Sequence, residues 1–179
     1  MTTFKIDTVT IGQHPRKLSN GKFQLTKFLL YILTSPFKLL TAFNKSYTQI
    51  DGNWEQLYSD NNLKIEKRLV AATGFDDSIS FYILSSTDNH LNKIIGDKIF
   101  GDFICKTNDG ILLRQFRSPK DWPNSKLIYI NFYNYNQETV SKTNSSWVDW
   151  SYKFVGDKQI DIVTEHQESY KKILRLFKV

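Results

Sequence analysis

The residues of this chain that are most able to do chemistry are three histidines, one cysteine and a few neighbouring carboxylates. None of the histidines (His14, His90, His166) has a second ligand at the spacing of a metal motif, so we expect surface histidines and no metal site. Cys105 ends an apolar stretch, which favours a buried packing thiol over a nucleophile with a lowered pKa. The sequence therefore names no catalytic residue and no cofactor.

The neighbouring carboxylates have a structural explanation. Asp76 and Asp77 follow Gly74 in a turn pattern, where aspartate is favoured because its side chain hydrogen-bonds to the backbone. The sequence contains neither a glycine-rich phosphate loop nor a Gly-x-Ser-x-Gly elbow. These observations weigh against an enzyme and leave the question open.

Aromatic and basic residues alternate along several segments of the second half of the chain, and such residues could stack nucleic-acid bases or line an apolar pocket. Affinity for nucleic acid needs a positive field. Residues 51–179 hold 17 basic and 17 acidic residues, so this part of the chain is neutral. We therefore expect no nucleic-acid binding, and we interpret Arg114 as a residue that meets an acidic group of a ligand.

The excess charge of +6 lies entirely in residues 1–50, which hold seven basic residues and one acidic residue. This bias predicts either a solvated terminus or a contact with a protein partner or an anionic surface. We place a basic N-terminal arm at residues 1–21. No apolar core follows Met1 as it does in a signal peptide, and the single Cys105 fits a reducing compartment, so we expect a cytoplasmic or organellar-stroma location.

One domain is expected to span residues 22–179. Its first part, residues 22–45, has apolar residues at helical spacing and predicts a helix that Pro36 divides. Two lysines and this proline argue against a transmembrane span, which needs about 20 mostly apolar residues. An interfacial helix or a helix packed on a sheet are the remaining alternatives.

From residue 50 onward the hydrophobic period changes to two, which predicts antiparallel strands over residues 50–165. Tight-hairpin signals at Asn108-Asp109-Gly110 and Gly156-Asp157-Lys158 separate some of these strands. The candidate strands are Phe4–Ile11, Trp54–Tyr58, Leu63–Ala72, Ile79–Ser85, Ile95–Cys105, Ile111–Arg117, Leu127–Tyr135, Trp147–Val155 and Gln159–Glu165.

The last segment, residues 166–178, predicts an amphipathic helix. Its apolar residues have the spacing i, i+3, i+4, i+7; they are Tyr170, Ile173, Leu174 and Phe177. The expected fold class is therefore α+β, with an antiparallel β-barrel or strongly curved sheet flanked by an N-terminal and a C-terminal helix. A hotdog, cystatin-like or START-like curved sheet is the rival fold.

The order of strands and the motif Gly52-Asn53-Trp54 resemble the lipocalins and related calycin barrels, including the S-type bilin lyases. In lipocalins the tryptophan closes the barrel floor and a basic residue from a late strand packs on it, a part that the resemblance assigns to Arg175. The Gln-Arg-Thr stretch that follows the tryptophan in bilin lyases is replaced here by Glu55-Gln56-Leu57-Tyr58. The resemblance implies binding of a small apolar or conjugated ligand such as a bilin, by a carrier, chaperone or chromophore lyase.

The predicted function is therefore ligand binding inside a lipocalin-like barrel. The predicted ligand-binding residues are Trp54, Phe81, Arg114, Tyr129, Trp150 and Tyr152. The alternative is a non-enzymatic protein–protein interaction module, an immunity or assembly protein that presents the basic residues 16–45. A structural component that acts through oligomers is a third hypothesis.

Overall fold

Strands dominate the architecture of the chain. The computed structural model describes residues 4–12, 47–59, 63–73, 79–145, 149–167 and 170–179, and strands make up 69% of them. In chain order the strands are β1 (Phe4–Gly12), β2 (Thr48–Gln49), β3 (Trp54–Ser59), β4 (Lys64–Thr73), β5 (Ile79–Ser86), β6 (Ile99–Lys106), β7 (Gly110–Phe116), β8 (Asn124–Asn131), β9 (Gln137–Asn144), β10 (Ser151–Val155), β11 (Gln159–Gln167) and β12 (Tyr170–Lys178). The described residues also form a helix α1 (Asn89–Ile95) and a short 3-10 helix (Pro119–Asp121).

The strands form two antiparallel sheets. Sheet A has the order β1-β12-β11-β10, and sheet B has the order β2-β4-β5-β6-β7-β8-β9, with β3 also paired to β4. In the described part of the chain no strand joins the last strand of either sheet to its first, so neither sheet closes on itself. The predicted barrel is therefore wrong.

The predicted C-terminal helix at residues 166–178 is also wrong, because the described residues of this segment belong to strand β12 and to the end of β11. Strand β12 lies in the interior of sheet A, where β1 pairs with one edge and β11 with the other. Backbone hydrogen bonds to two neighbours outweigh the helix propensity of its leucines, lysines and arginine. Leu174 and Leu176, two residues apart, point into the core together.

The predicted α+β class is likewise overturned, since the described residues are mostly β. The predicted helical segment at residues 22–45 lies outside the described residues. Within the predicted basic arm, residues 4–12 form β1, which confirms the strand expected at Phe4–Ile11, and Phe4 is buried. The domain boundaries themselves stay a prediction.

Sheet A packs against one face of sheet B. The shared core takes Phe4, Trp150, Ile160, Ile162, Leu174 and Leu176 from the side of sheet A, and Phe103, Cys105, Leu112, Leu127, Tyr129 and Val140 from sheet B. Helix α1 covers the opposite face of sheet B with Leu91 and Ile95. Strand β8 is therefore buried on both faces, as its apolar pattern predicts.

Helix α1 begins at a side-chain cap. The Asp88 carboxylate accepts hydrogen bonds from the backbone N–H groups of His90 and Leu91, at 2.8 and 3.0 Å. These bonds satisfy donors that an α-helix leaves without an internal partner. The helix ends at Ile95, before β6 begins at Ile99, and Asp97 and Lys98, which lie between them, line a cleft.

Candidate functional site

The predicted chemical residues do not assemble into a reaction centre in the described part of the chain. Burial raises the pKa of the Cys105 thiol to about 12, so the thiol is neutral at ordinary pH, and it packs in the core between the sheets. His90 stacks on the ring of Tyr135 with the centroids 5.0 Å apart, and His166 lies exposed on β11. Among the described residues no cluster of three or more His, Cys, Asp or Glu could hold a metal ion.

The six residues predicted to bind a ligand lie in different places. Phe81 is fully buried against Phe116, and Tyr129 is buried against Phe4 with the ring centroids 5.0 Å apart. Trp54 is 45% exposed. Tyr152 is 43% exposed on the edge strand β10. The structure brings Arg114 and Trp150 together, and the ligand-binding role of the set stays a prediction.

Trp54 does have a basic residue on its ring, although it is not the one that the resemblance named. Arg68, which stands opposite Trp54 on β4, places its guanidinium 5.3 Å from the ring centroid. Arg175 lies on β12 instead, and its Nε donates to the Asp161 carboxylate at 3.4 Å. The cation that packs on Trp54 is therefore its cross-strand neighbour.

Arg114 is the most deeply buried basic residue that the structure describes, with 4% of its surface exposed. Its Nε donates to Ser125 Oγ at 3.0 Å, and its Nη2 donates to the Ser145 carbonyl oxygen at 2.7 Å. The guanidinium also lies 4.4 Å from the ring centroid of Trp150 and 5.0 Å from that of Phe116. Burial lowers the pKa of Arg114 to about 10 and the charge of Asp102 acts in the opposite direction, so the side chain is positive at neutral pH.

A cleft of about 650 Å³ opens beside Arg114, at one end of sheet B. The start of β6, the end of β7, the start of β8 and the end of β9 meet at this end, because neighbouring strands run antiparallel. Ser125 and Phe116, which contact Arg114, form part of the cleft wall. A buried positive charge therefore stands directly behind the wall.

The cleft combines apolar and basic side chains. Ile99, which is half-buried, supplies apolar surface, and the largely buried ring of Phe116 lies beside it. The lining also contains four cations, Lys98, Arg117, Lys126 and Lys142. Two acids, Asp97 and Asp121, also line it, so the formal charge of the lining is positive. A volume between about 300 and 1,000 Å³ is typical of sites for small molecules.

Lys126 and Lys142 stand directly opposite each other on β8 and β9. Both are exposed, and neither makes an ion pair with any residue that the structure describes. Like charges directly opposite each other destabilise an antiparallel pair of strands. The two ammonium groups thus repel each other, and an anion bound between them in the cleft would relieve this repulsion.

Lys98 lines the cleft and also contacts the first residue of β9. Its Nζ donates to Gln137 Oε1 at 2.6 Å, and partial burial lowers the pKa of the ammonium below its usual value. A nearby anion would favour the charged form and raise this pKa again. Lys98 is therefore a partly buried cation of the cleft, whereas Lys126 and Lys142 are exposed.

A smaller cavity of about 280 Å³ lies where the β6–β7 and β10–β11 hairpins meet the end of β12. Its central charges already neutralise each other, because Lys178 Nζ lies 2.7 Å from the Asp109 carboxylate. This ion pair lowers the pKa of Asp109 against the opposing effect of its burial. The large cleft is consequently the stronger candidate for binding a charged ligand.

Sequence reasoning missed this cleft because it missed β9. The segment Gln137–Asn144 is polar and carries one buried side chain, Val140, so it lacks the alternating pattern of a half-buried strand. If β9 is not predicted, nothing in the sequence indicates that Lys126 and Lys142 are cross-strand neighbours. The available signal was the length of polar chain after the predicted strand Leu127–Tyr135, which leaves room for one more edge strand.

None of the helices in the described part of the chain has the length and hydrophobicity that crossing a membrane requires. No protein-family model, curated protein or solved structure matches the chain. A function must therefore be argued from the chemistry of the cleft itself.

Proposed function

We propose that this protein binds a small amphipathic anion in the cleft at the end of sheet B. The observation that carries the proposal is the combination of four cations with the apolar side chains of Ile99 and Phe116 around one 650 Å³ space. The cations attract and orient an acidic group. The rest of the ligand packs against the apolar wall. This burial favours binding by about 25 cal/mol for each Å² of apolar surface removed from water.

This proposal keeps the predicted class of ligand and changes its location. The sequence predicts a small apolar or conjugated ligand with an acidic group that Arg114 meets. In the structure Arg114 lies behind the wall, where it holds Ser125 and adds positive potential. The proposed contact with the acidic group thus passes from Arg114 to Lys98, Arg117, Lys126 and Lys142, and the proposal concerns binding alone.

The test uses an anionic aromatic probe, 8-anilinonaphthalene-1-sulfonate, titrated into the full chain with calorimetry and fluorescence. Nile red, which is apolar and uncharged, serves as the comparison ligand. We expect one site for the anionic probe and at least tenfold weaker binding of Nile red, a difference of about 1.4 kcal/mol. Competition between the probe and octanoate would show that both anions use the same site.

A pair of variants locates the site. The double variant K126Q/K142Q removes two charges from the cleft, and the matched control K5Q/K93Q removes two exposed charges from β1 and α1. We expect the cleft variant to lose most of the affinity and the control to retain it. Equal losses in both variants would show that the probe responds to net charge and would overturn the proposal.

The alternative function, a non-enzymatic protein–protein interaction module, stays a prediction. The basic residues 16–45 that it relies on lie outside the described residues. The same titration distinguishes the two hypotheses. An interaction module without a ligand site should not bind the probe in a way that depends on Lys126 and Lys142.

A further inference from the structure

The cleft wall contains three consecutive cross-strand pairs of matching chemistry. Asn124 faces Asn144, Ser125 faces Thr143, and Lys126 faces Lys142 in the register of β8 and β9. Because side chains alternate along a strand, the two asparagines and the two lysines lie on the same face. All of these residues line the cleft. The result is a patch of two ammonium groups and two amides related by a local twofold arrangement.

The two lysines are close enough to act on one group. Directly opposed residues in an antiparallel pair have Cβ atoms about 4.5–5.5 Å apart, and the lysine side chains are long enough for both ammonium groups to reach one anion. A single negative charge between them leaves one positive charge uncompensated. A group with two negative charges neutralises both lysines and removes the repulsion between them.

We infer that the acidic group which this cleft recognises is a phosphate monoester in its dianionic form. The inference rests on the proposed function and names its ligand class. A phosphate monoester has three outer oxygens that accept hydrogen bonds, which match the two ammonium groups and the amides of Asn124 and Asn144. A carboxylate has two oxygens and one charge, so it satisfies half of this patch.

The position of the apolar wall completes the description of the ligand. Gln115 on β7 stands opposite Lys126, and the next residue, Phe116, pairs with Ile99 on β6. Because side chains alternate along a strand, Phe116 and Ile99 project to the opposite face of sheet B from Lys126 and Lys142. The apolar part of the ligand therefore reaches Phe116 and Ile99 around the end of the sheet, where the cleft opens. Arg117 and Lys98, which also line the cleft, lie beside that path and add positive potential to it.

The test compares three amphiphiles with the same chain, octyl phosphate, octyl sulfate and octanoate, by calorimetry with the full chain below their micelle concentrations. The second pKa of a phosphate monoester is about 6, so about one tenth is dianionic at about pH 5 and nearly all of it at about pH 8. A site that selects the dianion binds octyl phosphate about tenfold more tightly at the higher pH. Octyl sulfate, which is a monoanion at both pH values, should show no such gain.

Single-charge variants give the second readout. K126Q and K142Q each leave one lysine, which makes the site suited to a monoanion, so we expect the pH-dependent gain for octyl phosphate to shrink in both. K93Q on helix α1 keeps the full gain. Circular dichroism and urea unfolding of each variant establish that the comparison is made between folded proteins.

A phosphate monoester can be part of a free metabolite or of a lipid. Sedimentation with phosphatidylcholine vesicles that contain phosphatidic acid distinguishes these sources: co-sedimentation that K126Q/K142Q abolishes indicates the lipid headgroup, while binding of octyl phosphate alone indicates a free ester. Equal affinity for octyl phosphate at both pH values, or tighter binding of octanoate, overturns the dianion inference while the proposed function survives. If none of the three amphiphiles binds, both proposals fail together.

Discussion

The Tyr129 hydroxyl is a buried polar group in the core between the sheets. It lies near Thr107, Asp109 and Asn131, but it makes no well-directed hydrogen bond to any residue that the structure describes. Burial is the main reason why its pKa rises to about 12. A buried hydroxyl without a partner costs the fold about 1–3 kcal/mol.

Tyr129→Phe should therefore leave the free energy of unfolding unchanged or raise it by up to about 1 kcal/mol, because it removes the hydroxyl and keeps the ring that packs on Phe4. Urea unfolding followed by circular dichroism measures the change. Phe81→Leu, which trims a fully buried ring, is the contrasting variant and should destabilise the protein. A marked loss of stability in Tyr129→Phe would show that the hydroxyl is hydrogen-bonded.

Cys105 is expected to make the protein less stable at alkaline pH. Its pKa rises from 9.0 to about 12 on folding because the thiolate is excluded from the core. The folded state thus holds a proton that the unfolded state releases, so this contribution to stability is present below pH 9 and is lost as the pH rises toward 12. Unfolding by urea at about pH 8 and about pH 10 should show a smaller loss in Cys105→Ala than in the parent protein. Parallel losses in both proteins would mean that the thiol ionises in the folded state.

At the scale of elements, β12 tests the assignment of the C-terminal segment as a strand. In the strand Leu176 is fully buried and Phe177 is partly exposed on the outer face of sheet A. The helical spacing instead predicts that Phe177 is buried and Leu176 is not. Leu176→Ala should therefore reduce the free energy of unfolding by about 2–5 kcal/mol. Phe177→Ala should cost less than half of that value in the same urea titration. The reverse order would contradict the strand.

Strand β12 also shows where sequence reasoning fails. The segment Tyr170–Lys178 has apolar residues at both helical and alternating positions, so its period alone cannot choose between helix and strand. The choice is made by the two strands that pair with its edges: β11, which precedes it in the sequence, and β1, which comes from the other end of the described chain. Contacts of that sequence separation are not visible in a local pattern.

Helix α1 could have been predicted and was not. Asp88 before Leu91, Ile94 and Ile95 is the pattern of a capped amphipathic turn, but of the α1 residues only Ile95 falls in a predicted element, the strand Ile95–Cys105. In contrast, four predicted strands lie within one residue of the observed limits of β3, β4, β5 and β7. The predicted strands Leu127–Tyr135 and Trp147–Val155 begin three and four residues away from the starts of β8 and β10. The tight turn before Gly110 is confirmed. Gly110 is required there because a Cβ would clash with the Ile130 carbonyl oxygen and the Tyr129 ring.

The candidate site could not be predicted for a related reason. Its chemistry depends on the register of β8 with β9 and on the open end of sheet B beyond α1. Lys126 and Lys142 are 16 residues apart in the sequence, and nothing in the local pattern of either residue indicates that they are neighbours. Arg114 was identified as a residue of interest, and its position behind the cleft wall followed only from the structure.

At the scale of the whole molecule, basic residues are placed in two different ways. On the outer face of sheet A the cross-strand row Asp7, Arg175, Asp161 and Lys153 alternates in sign, so its charges compensate each other. In the cleft, four cations outnumber two acids, and the buried Arg114 adds to them. The outer face of sheet A therefore contributes little to the long-range field, and the cleft is a local source of positive potential.

This difference predicts how salt affects ligand binding. The Debye length falls from about 30 Å at 0.01 M salt to about 8 Å at 0.15 M salt, so the attraction of an anion to the cleft should weaken severalfold over this range. The affinity for 8-anilinonaphthalene-1-sulfonate, measured by fluorescence at several salt concentrations, should fall steeply in the parent protein and more gently in K126Q/K142Q. K153Q, which changes the compensated row on sheet A, should keep the parent slope. An affinity that does not respond to salt in the parent protein would mean that Ile99 and Phe116 bind the probe through apolar contacts alone, and that the four cations do not recognise its charge.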